Sequence, residues 1–511
     1  MKNIFLAFFV FLTVCVYFPS LKHAPKHDQI AYLAEMAGRG SAWDKTFGAY
    51  SLNRDRQFMS KHDELLFRPL LNIFLGFQLV LFGYNFTFWQ AMALLLHLLA
   101  GCCMYRLLDA IRPGVPAAWG AGFFLLMLAG VPMVIWHHIS AYILFCCLIL
   151  EAMLRMLRYF RDRSNTRALK ECVLFCLAAS FFFEAGILVM LIFALYFFFD
   201  ERARASFLMF ISAVVGCLAI NIGDFLLRVP QINSESSNIL FRIFSLDTWG
   251  NAFLALKWFL CSGVFTTSAD VILVERVALS PFTISWGWPF NSFSPYLFRG
   301  FVSILFCMGI LLFSWRSVSR EQKKFAMLLA VMAASFVLVI SAGRVNTRGV
   351  VTGLFFNSYY VYVFWALFLP AVYALFSYDL ILFSREGGIV RALCYFLCGA
   401  GMFFNALAIF NVNNRVAGMD RTRRTFLDTT TAFVDAHRLE PGFSFYIPHG
   451  CPGNYAGKWL HKQTDPLWRR YTLSEALYPY FYTLVDPKYV MSCHAQADPR
   501  EGYVVLPKKS K

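Results

Sequence analysis

The sequence predicts an all-α polytopic membrane protein of about eleven transmembrane helices, with interfacial helices in its outer loops and a small α+β extracytoplasmic C-terminal domain. Three observations lead there. Apolar residues make up 59% of the 511-residue chain and charged residues only 15%, with a mean hydropathy of +0.57, far from the usage of a soluble domain. About eleven apolar stretches approach the roughly 20 residues that a span requires. The basic residues cluster between alternate stretches, the pattern that positive-inside topology produces.

Taken in order, residues 4–20 form the first span. An uncleaved helix is favoured over a signal peptide, because no small-x-small cleavage site follows and the run ends in Tyr17, Phe18 and Pro19. The first outer loop, residues 22–84, carries Lys22, His23, Lys26, His27, Asp28 and Gln29, then a mixed stretch with Asp44, Arg54, Asp55, Arg56, Lys61, His62, Asp63 and Glu64. Asp63 and Glu64 are the near partners expected for Arg68. Residues 70–82 are too short to cross but apolar enough to lie in the interface, with Pro69 suited to a first helical turn. Gly83-Tyr84-Asn85 turns into the second span, 85–108, where His97 reads as a packing histidine.

Spans at 117–135 and 139–157 meet at an outer corner, Trp136-His137-His138-Ile139-Ser140-Ala141-Tyr142. Residues 171–183 and 186–199 are short and are interrupted by Phe183-Glu184-Ala185-Gly186, so they form either two spans or one long or broken helix. Glu184 lies among Phe181, Phe182, Phe183 and Ile187, where an unpaired carboxylate is expensive; a site role and a structural ion pair both remain open. The span at 206–227 leads into the second outer loop, 229–297. Its stretch 247–265 sets Trp249, Phe253, Leu254, Trp258 and Phe259 around Lys257 and reads as interfacial. Trp286, Trp288 and Phe290 suit a membrane-interface belt, and also sugar stacking. Spans at 297–314, 325–342, 357–377 and 391–410 complete the membrane domain, residues 1–410. Residues 411–511 are polar, with strands expected at 443–448 and 502–506, and form the outer domain.

The net charge of +16 is mostly a topology signal. Arg106 and Arg112, then Arg155, Arg158, Arg161, Arg163, Arg167 and Lys170, then Arg202, Arg204, Arg316, Arg320, Lys323, Lys324, Arg385 and Arg391, are read as short loops on the side of Lys2. Contact with membrane lipid headgroups is a smaller contribution, and this placement argues against nucleic acid as a partner. The N-terminus is then cytoplasmic and the C-terminal domain periplasmic, in a bacterial inner membrane; in a eukaryotic cell the outer side would be the endoplasmic reticulum lumen. Of fourteen cysteines, twelve lie in or beside apolar stretches and read as packing residues. Cys451 and Cys493 fall in the exported tail, where a disulfide is permitted. No cysteine or histidine spacing suggests zinc.

Asp28, Arg68-Pro69-Leu70, Phe82-Gly83-Tyr84-Asn85 and Leu96-His97-Leu98-Leu99, in that order, resemble the N-terminal module of the polyprenol-dependent glycosyltransferases of the C superfamily. The corner at Trp136–Tyr142 and the Phe183–Gly186 interruption fit the same pattern. The likeness, to protein O-mannosyltransferases and lipid A aminoarabinose transferases, covers about the first 200 residues and is only topological beyond them. It implies an outward-facing enzyme that transfers a sugar from a polyprenyl-phosphate donor to a glycan, lipid or protein acceptor. By that resemblance Asp28 is the catalytic base or helps to hold a divalent cation, Mg or Mn. His27 before it and Gln29 after it replace the second acid many relatives carry, which favours the base role, and a neutral His27 can assist.

Arg68, His137, His138 and Glu184 are the candidate cavity residues. Arg344 and Arg348 break the charge rule on the outer side and are candidates to bind the carrier phosphate, since guanidinium matches phosphate bidentately. Their other reading is contact with ordinary headgroups. The rival functions are an O-antigen-type polymerase or ligase, a flippase or transporter of lipid-linked sugars, and a catalytically inactive scaffold. The chain has no Walker A motif, dinucleotide fingerprint or lipase elbow, and no tetratricopeptide period.

Overall fold

A computed structural model describes residues 2–23, 36, 40–48, 68–83, 85–136, 139–199, 203–228, 246–264, 319–344, 358–375, 396, 398–414, 416–418, 421, 445–447 and 458–460. The described chain is almost wholly helical. Its elements are α1 (Lys2–Tyr17) with a 3-10 extension at Phe18–Lys22, α2 (Ala42–Thr46), α3 (Pro69–Phe82), α4 (Phe86–Ile111), α5 (Val115–Leu125), α6 (Gly130–Ile135) and α7 (Ala141–Arg161). After these come α8 (Thr166–Phe182), α9 (Ala185–Phe198), α10 (Arg204–Arg228), α11 (Leu246–Val264), α12 (Arg320–Arg344) and α13 (Ser358–Leu375), then helical residues over 398–414. Two short strands, β1 (Phe445–Ile447) and β2 (Lys458–Leu460), pair antiparallel with Phe445 opposite Leu460. The first lies inside the strand expected at 443–448. The one expected at 502–506 and the span expected at 297–314 fall outside the described residues.

Among the described residues, four helices are long and apolar enough to cross a membrane: Lys2–Lys22, Phe86–Ile111, Arg204–Gly223 and Arg320–Ala342. Shorter apolar helices, Pro69–Phe82, Val115–Leu125, Ala185–Phe198 and Tyr360–Leu375, pack among them. Together they make an all-α membrane architecture.

Local sequence explains several boundaries. Ser41 opens α2 with a reciprocal capping box to Asp44, Pro69 occupies the first turn of α3, and Asn165 caps α8 by accepting from the Ala168 N–H at 3.0 Å. The expected span 117–135 is in fact two helices, broken over Leu126–Ala129. A broken helix frees backbone carbonyls that lipid cannot satisfy. His97 meets one of them: its Nε2 lies 2.9 Å from the Leu125 carbonyl and its Nδ1 3.0 Å from the Tyr362 hydroxyl. The packing role read for His97 is what the fold shows.

Polar contacts sort the helix ends into two sets. At one end Lys2 donates to Asp109, Arg161 donates to the Ala110 carbonyl, and the Tyr373 hydroxyl donates to the Arg112 carbonyl at 2.9 Å. This basic end gathers the start of α1 and the ends of α4, α7 and α13. At the opposite end sit Arg68, Glu184 and Tyr142, together with Gln90, whose side-chain amide donates to the Ile135 carbonyl at 3.2 Å.

Most buried side chains form one apolar cluster contributed by α4 through α13; a second joins α1, α4, α6 and helical residues between 398 and 418. Lipid is as apolar as leucine, so such helices are held by close packing rather than by water exclusion. Gly120 shows how: a Cβ there would sit 2.5 Å from the Leu108 Cδ1, so α4 and α5 approach more closely than any larger residue allows. The expected interfacial stretch 247–265 is helical as α11 and docks one face on its neighbours. Ala255, Phe259 and Leu260 are buried, and the Trp365 indole donates to the Phe259 carbonyl at 2.8 Å.

Against the expectation from sequence, Arg106, Arg155, Arg158, Arg161, Arg167, Lys170, Arg204, Arg320, Lys323 and Lys324 do not lie in short loops but within α4, α7, α8, α10 and α12. The helices outrun their apolar stretches because these long side chains find partners on neighbouring helices or reach toward solvent.

Candidate functional site

Arg68 is the residue just before α3, and Glu184 is the second of the two residues between α8 and α9. They are 116 positions apart, and they meet: Nε donates to Oε2 at 2.8 Å and Nη2 to Oε1 at 2.7 Å, a bidentate pair. Nη1 donates to the Tyr142 hydroxyl at the start of α7. The guanidinium carbon lies 5.3 Å from the centre of the Tyr142 ring and 5.1 Å from that of Phe183.

The corner that presents Glu184 is built by its neighbours. Phe183 is extended, which ends α8, and its N–H still donates to the Ala179 carbonyl. Its ring is buried edge-on to Tyr142, Phe145 and Phe336. Gly186 allows α9 to fold back closely, since a Cβ there would stand 2.5 Å from the Ser180 nitrogen. The interruption is therefore a sharp corner between two helices.

Exposure across the pair is uneven. The Arg68 side chain is 12% exposed and that of Glu184 41% exposed, so the cation is sunk among aromatic rings while its carboxylate faces outward. Burial opposes the charge on Arg68, but the Glu184 carboxylate outweighs it and holds the guanidinium pKa well above its ordinary value. Of the five guanidinium N–H groups, three are committed to Glu184 and Tyr142, which leaves two. The partner expected for Arg68 from the neighbouring sequence, Asp63 or Glu64, lies outside the described residues; the pair seen is Glu184.

His27, Asp28, His137, His138 and Arg348 all lie outside the described residues. Arg344 ends α12, and its side chain is likewise outside them. The structure thus brings together Arg68 and Glu184 and adds Tyr142, which the sequence offered only as part of a corner motif. Among the described residues no group of three or more His, Cys, Asp or Glu side chains converges as a metal site.

A second charged assembly was missed altogether. Glu151, in the middle of α7, pairs with Arg106 of α4 at 2.5 Å and with Arg155 at 3.7 Å. Arg155 pairs with Glu171 of α8 at 3.0 Å, and Glu171 with Arg167 at 2.8 Å. The available signal was that Glu151 lies inside an apolar run, where an acid demands a partner.

Comparison of the chain with protein-family models, with curated proteins and with solved structures finds no match.

Proposed function

We propose that the protein is an integral membrane glycosyltransferase that moves a sugar from a polyprenyl-phosphate donor to an envelope glycan, lipid or protein acceptor on the outer face of a bacterial inner membrane. The observation that carries this reading is the meeting of Arg68 and Glu184 at one end of the bundle. The two motifs that hold them, Arg68-Pro69-Leu70 and Phe183-Glu184-Ala185-Gly186, are separate parts of the family likeness, and a shared active cavity requires them to be adjacent. The reading includes about eleven spans, a cytoplasmic N-terminus and a periplasmic C-terminal α+β domain that shapes acceptor access.

In this mechanism Asp28, ionised at neutral pH, accepts the proton of the acceptor hydroxyl or amine. The acceptor atom bonds to the sugar C1, and the C1–O bond to the carrier phosphate breaks, its electron pair leaving on the phosphate. Arg344 and Arg348 take up that developing charge, and positioning supplies much of the acceleration. Arg68, already neutralised by Glu184, contributes its two uncommitted N–H groups and orients the carboxylate beside the substrate. His27 and Gln29 stand where a two-carboxylate cation site would need a second acid, so the step is derived from the chain's own residues.

The test is mass spectrometry of envelope glycans and lipid carriers in a deletion strain complemented with wild type or Asp28→Asn. Loss of one sugar modification, restored by wild type and not by an equally expressed Asp28→Asn, is expected. Full restoration by Asp28→Asn would remove the base assignment. A polymerase or ligase would instead be hurt more by Arg344→Ala and Arg348→Ala than by Asp28→Asn.

A further inference from the structure

At the basic end of the bundle, the hairpin of α7 and α8 carries Arg155, Arg158, Arg161, Arg163, Arg167 and Lys170 against only Glu151, Asp162 and Glu171. All three carboxylates are committed. Glu151 holds Arg106 and Arg155, Glu171 holds Arg155 and Arg167, and Asp162 accepts from the hydroxyl and N–H of Ser164. Arg158 and Lys170 are both exposed and neither is within ion-pair distance of a described carboxylate, although Arg158 still acts electrostatically on Glu171.

The antiparallel register that sets Arg155 against Glu171 puts Arg158 opposite residue 168, about 3 Å along the helix axis from Lys170. The Arg155–Glu171 contact at 3.0 Å aligns α7 with α8, and Arg158 is the next residue along that face of α7. On α8, Arg167, Lys170 and Leu174 follow at helical spacing, and all are exposed, Leu174 by 64%. One stripe thus passes from charge to bare hydrocarbon in about two turns. Free phosphate would have use for the first part only, whereas a lipid fits both.

We propose that this hairpin end binds an anionic phospholipid, its headgroup phosphate held between Arg158 and Lys170 and an acyl chain lying along Leu174. The site is at the opposite end of the bundle from the Arg68–Glu184 pair, and the proposal does not depend on the transferase reading. Arg163 lies over the rings of Tyr159 and Phe160, which fixes the loop beside the site.

The test uses the full-length protein purified in a non-ionic detergent, with bound dioleoyl phosphatidylglycerol and phosphatidylcholine counted by native mass spectrometry. Wild type should prefer phosphatidylglycerol. Each basic side chain near an anionic headgroup is worth about a fivefold preference, so Arg158→Gln and Lys170→Gln should each cost that much and the double variant roughly thirtyfold. Lys22→Gln, at the other end of α1, should change nothing. Leu174→Ser should weaken phosphatidylglycerol binding and leave the binding of inorganic phosphate as it was. An unchanged preference in the double variant, or an equal loss in Lys22→Gln, would overturn the site. Displacement of the lipid by millimolar inorganic phosphate, with Leu174→Ser without effect, would make it a phosphate site and overturn the lipid assignment.

Discussion

Replacing Glu184 with Gln leaves Arg68 sunk among Tyr142 and Phe183 with its charge unanswered, and the size of the penalty follows from the geometry. Removing one partner of a fully buried ion pair costs about 3–5 kcal/mol, and an exposed pair is worth about 0–1 kcal/mol. Here the cation is 12% exposed and the anion 41%, so solvent screens only one side of the pair. An intermediate loss of about 2 kcal/mol is expected for Glu184→Gln. Arg68→Met should lose a similar amount, and the double variant should lose less than the sum by at least about 1 kcal/mol. Equilibrium unfolding in mixed micelles of an ionic and a non-ionic detergent measures all three. Strictly additive losses, or a Glu184→Gln variant as stable as wild type, would show that the bidentate pair does not hold α3 to the α8–α9 corner.

Because Glu184 holds the Arg68 pKa above its ordinary, already strongly basic value, the stabilisation from charged Arg68 is full below the unfolded pKa and is lost only as pH rises through the folded one. The coupling between Arg68 and Glu184 should therefore be flat from about pH 7 to pH 10 in the same unfolding measurement, and a decline in that window would count against it. His97→Phe strips the Leu125 carbonyl and the Tyr362 hydroxyl of a buried partner and should cost about 1–3 kcal/mol, with activity per folded molecule unchanged. Gly186→Val drives a branched side chain against the Ser180 backbone and should destabilise by about 1–3 kcal/mol. Gly216→Ala, whose Cβ meets nothing within 4 Å, should be neutral or better in the same unfolding measurement.

What the sequence made legible is what period and composition encode. The membrane class, the helical nature of the apolar stretches, the Pro69 start of α3 and the break at Glu184 were all readable in one dimension. What was not readable depends on pairing between distant helices. Nothing in the sequence near Arg68 points to residue 184, and local acids such as Asp63 and Glu64 were the obvious candidates. Arg106 and Arg155 looked like loop charges because a basic residue after an apolar run usually marks a helix end; only the register of α4, α7 and α8 shows that Glu151 and Glu171 draw them into helices. The break at Leu126–Ala129 escaped notice because the stretch is uniformly apolar, and period alone cannot distinguish one long helix from two short ones.

The contact between the two ends of the membrane domain has a bearing on how the chain is made. The ring of His23, fully buried, has its Nε2 2.9 Å from the Asn413 carbonyl, and the Asn413 amide donates to the Val16 carbonyl at 3.2 Å. These partners are 390 residues apart. At a synthesis rate of about 5–20 residues per second, the His23 end of α1 waits on the order of 20–80 s before its partner leaves the ribosome. For that interval Val16 and His23 are open to lipid, water or an assembly factor, and a chain stalled before residue 413 would keep them so. The Lys2 end of α1 can meet Asp109 early, whereas the contacts of Val16 and His23 with Asn413 are among the last that α1 can form.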